Sequence, residues 1–455
     1  MWNRLESGAP PHLLLLATQS WPTGARLGLA MRAVGFRVSI WCPYGHPLLR
    51  TGLVDRHHPY GTFETLDSLE AAVIAAGPHL IVPCDDLAIF HLQQLAERAL
   101  ARPHLHRVLE IIEYSLGRPA ELHRLNSRTD VLAIAAEGGV AVPATAPIAS
   151  PADLRAWLQA NGFPAYLKAD GTSGGIGVRP VHSYQKAEAA FRALDTPPRI
   201  LRALKRLAID RDPTLMGPLV RRQRPAISVQ RAVAGTEATS AIFCWRGQVL
   251  ASICVQVVAT RYKRGPSTVV RRFHNAAIDR AAEVLAARLN LSGFYGLDFI
   301  LDSQIGDSQV EDSQVGDSKV GESQPADEPT GASWLIEMNS RATQIAHLAL
   351  GPGHDLAAAA FAAVTGVPAQ PRPVVTTEQT IALFPQEWQR DPASPLIPGA
   401  YHDVPWDAPA LVRAYVNQRP GWRRLLTQQY WRDRRREKRD FEEPPATSET
   451  APRIP

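Results

Sequence analysis

Asp298, Glu337 and Asn339 form the set of residues in this chain best suited to holding a cation beside phosphate. Asp298 lies in Gly296-Leu297-Asp298-Phe299, and Glu337-Met338-Asn339 follows further on. Residues two apart on a strand share a face, so Glu337 and Asn339 point the same way, and a neighbouring strand can turn Asp298 toward them. Two carboxylates and an amide oxygen are hard ligands that suit magnesium shared with phosphate groups. Arg341, two residues beyond Asn339, can pair with a phosphate oxygen. The alternative is an acidic strand pair on a solvated face. Leu335, Ile336 and Met338 speak against it, because ionised groups among apolar neighbours need partners.

A second chemical element lies upstream. The short strand Ala165 to Ala169 carries Lys168 and feeds Gly171-Thr172-Ser173-Gly174-Gly175-Ile176-Gly177, after which Val178 to Val181 returns as a strand. Strand, glycine loop and strand make a hairpin flap rather than a strand-to-helix phosphate loop. Backbone N–H groups in a tight glycine turn form an anion-binding nest, although such hairpins also occur without a ligand. Lys168 adds a point charge suited to phosphate.

Taken in order, Lys168 before GTSGGIGV (Gly171 to Val178), VQRAVAGTE (Val229 to Glu237), GLDF (Gly296 to Phe299) and IEMNSR (Ile336 to Arg341) resemble the ATP-grasp superfamily. The branch most similar is that of carbamoyl-phosphate synthetase and biotin carboxylase. The similarity covers residues 120 to 370 or so, with an α/β domain in front as in the family. The resemblance implies a role for each matching residue. Arg128 matches the basic residue ahead of the flap that reaches the phosphates, and Lys168 the lysine contacting them. Ser173, Gly174 and Gly175 match the mobile loop over the β- and γ-phosphates. Gln230 to Val233 match the hinge that hydrogen-bonds adenine, and Glu237 the carboxylate that holds the ribose. Asp298, Glu337 and Asn339 match the metal ligands, for magnesium or manganese, and Arg341 the arginine near the transferred phosphoryl group. Arg341 and Lys168 are therefore the catalytic candidates. Gln230 departs from the pattern, since many members carry Glu there, but an amide oxygen still accepts from the adenine amino group.

The implied reaction activates a small-molecule carboxylate with ATP as an acyl phosphate, which an amine then displaces. A carboxylase, a kinase acting on a hydroxyl, and an ATP-binding protein without turnover are the competing readings. A homodimer is compatible with the resemblance. Arg261, Lys263, Arg271, Arg272 and His347 are the cationic candidates to line the substrate site. The basic stretch from Arg199 to Arg224 reads as a solvated face or as a lid over an anionic substrate.

These residues need elements to position them. Apolar runs at His12 to Ala17, Phe36 to Cys42 and Leu80 to Val82, separated by helical patterns, predict a parallel sheet with helices on its faces. Ligands of such sheets bind beyond the carboxyl ends of the strands, which marks the loops Thr18–Thr23 and Cys84–Asp86. The fold class expected is α/β and α+β. A Rossmann-like N-terminal domain (1–120) precedes a two-lobed ATP-grasp domain (121–372, lobes 145–228 and 229–372) and a C-terminal appendage (373–455). Inside the second lobe, residues 303–332 contain the repeat IGDSQ-VEDSQ-VGDSK-VGESQ (Ile305 to Gln324). One small apolar residue in five cannot offset the entropy of ordering, which predicts a disordered hairpin insertion.

Composition bounds the rest. A chain of 455 residues, 45% hydrophobic and 20% charged, is globular and too long for one ordinary domain. The net charge of +5 is small for this length, and much of it sits in the tail at Arg432, Arg434, Arg435, Arg436, Lys438 and Arg439. No basic face is gathered for nucleic acid. The four cysteines stand singly, without zinc spacing, as buried thiols of a reducing compartment do. The leucine run Leu13 to Leu16 is too short for a signal core or a membrane span, so a cytoplasmic protein is expected.

Overall fold

The computed structural model describes residues 9–118, 124–170, 177–196, 224–262, 265–302 and 331–416. Ser173, Gly174, Gly175, Lys263, the acidic repeat, the basic tail and the basic stretch up to residue 223 lie outside the described residues. The described residues are mixed α/β and form three sheets. Among the described residues no helix is long and apolar enough to cross a membrane.

The first sheet is four-stranded and parallel, in the order β3-β2-β1-β4. Its strands are β1 (His12–Leu16), β2 (Arg37–Cys42), β3 (Arg56–Pro59) and β4 (Leu80–Pro83). Every residue of β1 and β4 is buried, because helices cover both faces of a parallel sheet and its strands read as continuous apolar runs. The period of two divides the leucine run between two cores. Leu14 and Leu16 join one with helices Asp86–Leu100 and Ala276–Leu289, and Leu13 and Leu15 join another with helix Pro22–Ala33. Each such leucine, fully removed from water, contributes about 2 kcal/mol.

The second sheet is antiparallel, in the order β5-β8-β6-β7. It comprises β5 (Thr145–Pro147), β6 (Ala165–Ala169), β7 (Val178–Val181) and β8 (Ile227–Arg231), backed by helices Pro151–Asn161 and Tyr184–Leu194 over a small core of its own. The expected hairpin of β6 and β7 around the glycine loop is present. β8 stays within this sheet through Arg231, so the crossing to the next sheet falls at residues 232–234, slightly later than the expected lobe boundary at 228.

The third sheet has seven strands in the order β13-β12-β9-β10-β11-β14-β15. They are β9 (Gly235–Trp245), β10 (Gln248–Thr260), β11 (Ser267–Arg272), β12 (Gly293–Asp302), β13 (Ser333–Asn339), β14 (Thr380–Leu383) and β15 (Tyr401–Asp403). All neighbours run antiparallel except β14 and β15. An appendage was the expectation from residue 373 onward, yet β14 pairs with β11 and β15 with β14. Residues 380–403 are therefore built into the same sheet as β12 and β13. The physical reason is that β11 would otherwise offer an open edge, which pairing closes. Gly235 starts β9 at φ 153°, and a Cβ there would lie 1.9 Å from the Leu301 carbonyl oxygen, so the close approach of β9 to β12 requires glycine.

Candidate active site

β12 and β13 pair with Asp298 opposite Glu337 and Gly296 opposite Asn339, the arrangement that two-residue spacing predicted. Asn339 Nδ2 donates to Asp298 Oδ2 at 2.9 Å. Burial, reinforced by the facing Glu337 charge, pushes the Asp298 carboxyl up to about 6, while hydrogen bonds from Thr239 and Asn339 and the Arg341 charge oppose the rise. A Cβ on Gly296 would stand 2.2 Å from Thr343 Cγ2, so this glycine lets the chain after Arg341 fold back over β12.

Arg128 is the first residue of helix Arg128–Glu137, whose cap Ser127 accepts from Asp130 N at 3.3 Å. Its guanidinium bridges two sheets, donating to Glu337 Oε1 at 2.7 Å and to Asp170 Oδ1 at 3.0 Å. Lys168 on β6 is buried and donates from Nζ to Gln230 Oε1 at 2.6 Å. The register explains the contact. Tyr166 lies opposite Gln230, and Lys168 shares the face of Tyr166, which makes Lys168 and Gln230 diagonal neighbours. Burial lowers the Lys168 ammonium to about 8. The Gln230 amide also donates to Thr145 Oγ1 at 3.2 Å and to the Ile336 carbonyl at 3.5 Å. Gln230 thus holds Lys168 and ties β8 to β13. Val233 lies in the crossing between β8 and β9, and Glu237 is an exposed residue of β9 opposite Ile300 of β12.

Arg341 departs from the simplest sequence reading, because its partner comes from the first sheet. Its Nε donates to Asp86 Oδ1 at 2.6 Å, and its guanidinium carbon lies 5.8 Å from the Trp21 ring. Asp86 and Trp21 belong to the two loops that the carboxyl-end rule singled out, but neither was named as a site residue. The available signal was Asp85-Asp86 following an apolar strand. Asp85 caps helix Asp86–Leu100 by accepting from Ala88 N, and it also accepts from Thr18 N and Oγ1 and from Gln19 N. It thereby joins the loops after β1 and β4. Ala342 N donates to the Pro83 carbonyl at 3.0 Å, which locks the segment after Arg341 against the end of β4.

The five substrate-lining candidates separate. His347 is a correction: it is buried with Nε2 2.7 Å from Asp403 Oδ2, and Asp403 also pairs with Arg26. An imidazole spent on a buried carboxylate cannot reach a substrate. Arg272 is a second correction, since its guanidinium donates to the Thr376 and Leu350 carbonyls. Arg271 is exposed on β11. Arg261 follows β10 and has a buried Nε with no hydrogen-bond partner. It lies close to Ser267, which accepts from Gln344, three residues after Arg341.

Among the described residues no group of three or more His, Cys, Asp and Glu side chains is placed to hold a metal. Asp298, Glu337 and Asn339 supply two carboxylates and an amide instead. The donor chemistry fits a magnesium ion: all three offer hard oxygens, and the raised Asp298 carboxyl facing Glu337 is a concentration of negative charge that a divalent cation relieves.

No protein-family model matches the sequence, and no curated protein matches it. Solved structures do. The biotin carboxylase of Campylobacter jejuni in a β,γ-ATP complex is 13% identical, with 80% of this chain and 72% of that chain covered and a TM-score of 0.54. The biotin carboxylase domain of Hydrogenobacter thermophilus 2-oxoglutarate carboxylase, bound to MgADP, ADP and bicarbonate, is 12% identical, with 79% and 71% covered and a TM-score of 0.53. The carboxyaminoimidazole ribonucleotide synthase of Aspergillus clavatus bound to ATP is 14% identical, with 80% and 78% covered and a TM-score of 0.52. At such identities the likeness is one of fold, and the chain has the ATP-grasp fold in the form seen in biotin carboxylases and carboxyaminoimidazole ribonucleotide synthases.

Proposed function

We propose that this chain is an ATP-dependent carboxylate–amine ligase. The observation that carries the reading is the convergence of Arg128, Lys168 and Arg341 on the face formed by Asp298, Glu337 and Asn339. Three cations around paired oxygen ligands suit a nucleotide polyphosphate and its metal. ATP lies between the second and third sheets in this reading, with Arg128 and Lys168 on its phosphates and the crossing at Val233 and Glu237 near adenosine. Asp298, Glu337 and Asn339 would hold magnesium, which when bound offsets phosphate charge.

A carboxylate oxygen attacks the γ-phosphorus and the bond to the ADP oxygen breaks, leaving ADP and an acyl phosphate. Arg341 offsets charge on the transferring group. The amine nitrogen then attacks the acyl carbon, phosphate departs with the electron pair, and the amine loses a proton. In this reading Arg261, whose buried Nε has no hydrogen-bond partner, would hold the carboxylate substrate. The four thiols are free, in keeping with a cytoplasmic setting.

The test is ADP release from MgATP with hydroxylamine present, across pools of small carboxylates and amino acids. Hydroxamate formed with one pool supports the acyl phosphate and names the carboxylate. ADP release without hydroxamate from any pool would overturn the reading in favour of transfer to a hydroxyl. Because two of the three structures above are carboxylase components, bicarbonate belongs among the pools; ADP release that it alone stimulates would favour a carboxylase.

A further inference from the structure

The end of the site nearest the first sheet has a composition of its own. Asp86 receives Arg341 through Nε at 2.6 Å and Nη2 at 3.4 Å. The cap of its helix is Asp85, so Asp86 has no capping duty, and its side chain is 41% exposed. Residues four apart on a helix share a face, which sets Phe90, 40% exposed, one turn beyond Asp86. Trp21 stands on the other side against Arg341. The loops after β2 and β3 add Tyr44 and Phe63, 72% and 85% exposed, at the carboxyl ends of the same sheet. Exposed aromatics thus lie along the carboxyl ends of this sheet, with Trp21 after β1 and Phe90 after β4 nearest to Arg341 and Asp86.

In the ligase reading the Asp86–Arg341 pair is the arrangement before a phosphoryl group arrives. Once a phosphoryl group faces Arg341, the arginine has an anionic partner of its own. Asp86 is then a carboxylate without its cation, flanked by aromatic rings. We infer that Asp86 receives the ammonium nitrogen of the amine substrate and takes from it the proton that must leave before the nitrogen attacks, and that this amine carries an aromatic or comparably flat apolar body resting on Trp21 and Phe90. A carboxylate accepts charge-assisted hydrogen bonds from an ammonium group, and aromatic faces attract the same cation. The assignment rests on the ligase reading and deepens it, dividing the acceptor region into a carboxylate side at Arg261 and an amine side at Asp86.

The experiment measures binding without turnover, by calorimetry on the full chain with magnesium and a non-hydrolysable β,γ-methylene analogue of ATP present, so that a phosphoryl group faces Arg341. Its probes are phenethylamine, n-butylamine and 3-phenylpropionate. Phenethylamine is expected to bind most tightly, and Asp86→Asn to weaken it at least about tenfold. Asp86→Glu restores part of the loss. Trp21→Leu and Phe90→Ala erase the advantage of phenethylamine over n-butylamine, with circular dichroism confirming that each variant is folded. Preference for 3-phenylpropionate would overturn the inference by assigning the pocket to an anion on Arg341. Equal phenethylamine affinity in Asp86→Asn, or no binding of any probe to wild type, would also overturn it. The hydroxylamine trap separates the two claims. Hydroxamate formation alongside Asp86-independent amine binding removes only the amine assignment. Asp86-dependent binding without hydroxamate from any pool removes only the ligase reading.

Discussion

Replacing Asp298 by Asn should make the protein more stable at neutral pH while abolishing its proposed activity. The Asp298 carboxyl rises from 3.8 to about 6 because burial and the facing Glu337 disfavour its charge. The folded state therefore binds more protons than the unfolded state between those values, and stability falls as pH rises through that window. Below 3.8 this group costs nothing, and above about 6 its full cost is present. A shift of this size corresponds to about 3 kcal/mol at pH 7.5. Asparagine keeps an oxygen to accept from Asn339 Nδ2, so most of the local hydrogen bonding survives. Some of the gain is returned to solvent screening and the altered Thr239 contact, leaving about 1–2 kcal/mol of net stabilisation. The assay is urea denaturation followed by tryptophan fluorescence, with variant and wild type compared at pH 7.5 and pH 4.5. The variant should lead at pH 7.5, and the lead should vanish at pH 4.5. Magnesium with ATP should narrow it by stabilising wild type alone. A variant less stable than wild type at pH 7.5, or an equal difference at both pH values, would refute the charge argument.

Four further outcomes are expected. Glu337→Gln removes a proposed metal ligand and should abolish hydroxamate formation while leaving the thermal unfolding midpoint within a few degrees of wild type; full activity would sink the metal assignment. Gln230→Glu places a carboxylate on Lys168 and should raise its ammonium above the present value of about 8. ATP affinity is expected to fall on alkalinisation at a higher pH in the variant than in wild type, and an unmoved profile would dissociate Lys168 from the phosphates. Gly296→Ala puts a methyl 2.2 Å from Thr343 Cγ2 and should cost about 1–3 kcal/mol by displacing the segment that carries Arg341, with activity lost; a neutral effect on both would show that the segment yields freely. His46 is buried and lowered to about 4, so the stability tied to its neutral form is complete above 6.5 and is lost as pH falls toward 4. His46→Asn, which retains a cap for Leu48 N, should gain on wild type by up to about 3 kcal/mol between pH 7 and pH 4.5, and a constant difference would count against this.

Much of the candidate site's geometry was legible from spacing. Glu337 and Asn339 share a face because strand geometry has a period of two, and Asp298 pairs with Glu337 because both strands flank one insertion in the chain. The apolar runs of β1, β2 and β4 announced a parallel sheet for the same reason: strands covered on both faces need no polar alternation. What spacing could not supply was which distant residues meet. Asp86 reaches Arg341 across 255 positions, Gln230 takes Lys168 across 62, and Arg128 joins Glu337 across 209. The first and last of these contacts depend on how one sheet is set against another, the second on the pairing of β6 with β8, and no local period encodes either. His347 and Arg272 looked available because a cation in a sequence carries no mark of its partner. Only the arrival of Asp403 on β15, and of the Thr376 and Leu350 carbonyls, decides that these two are occupied. Local chemistry follows from residue type and periodicity, which the chain carries in itself, whereas charge pairing follows from the packing of sheets, which exists only once the chain has folded.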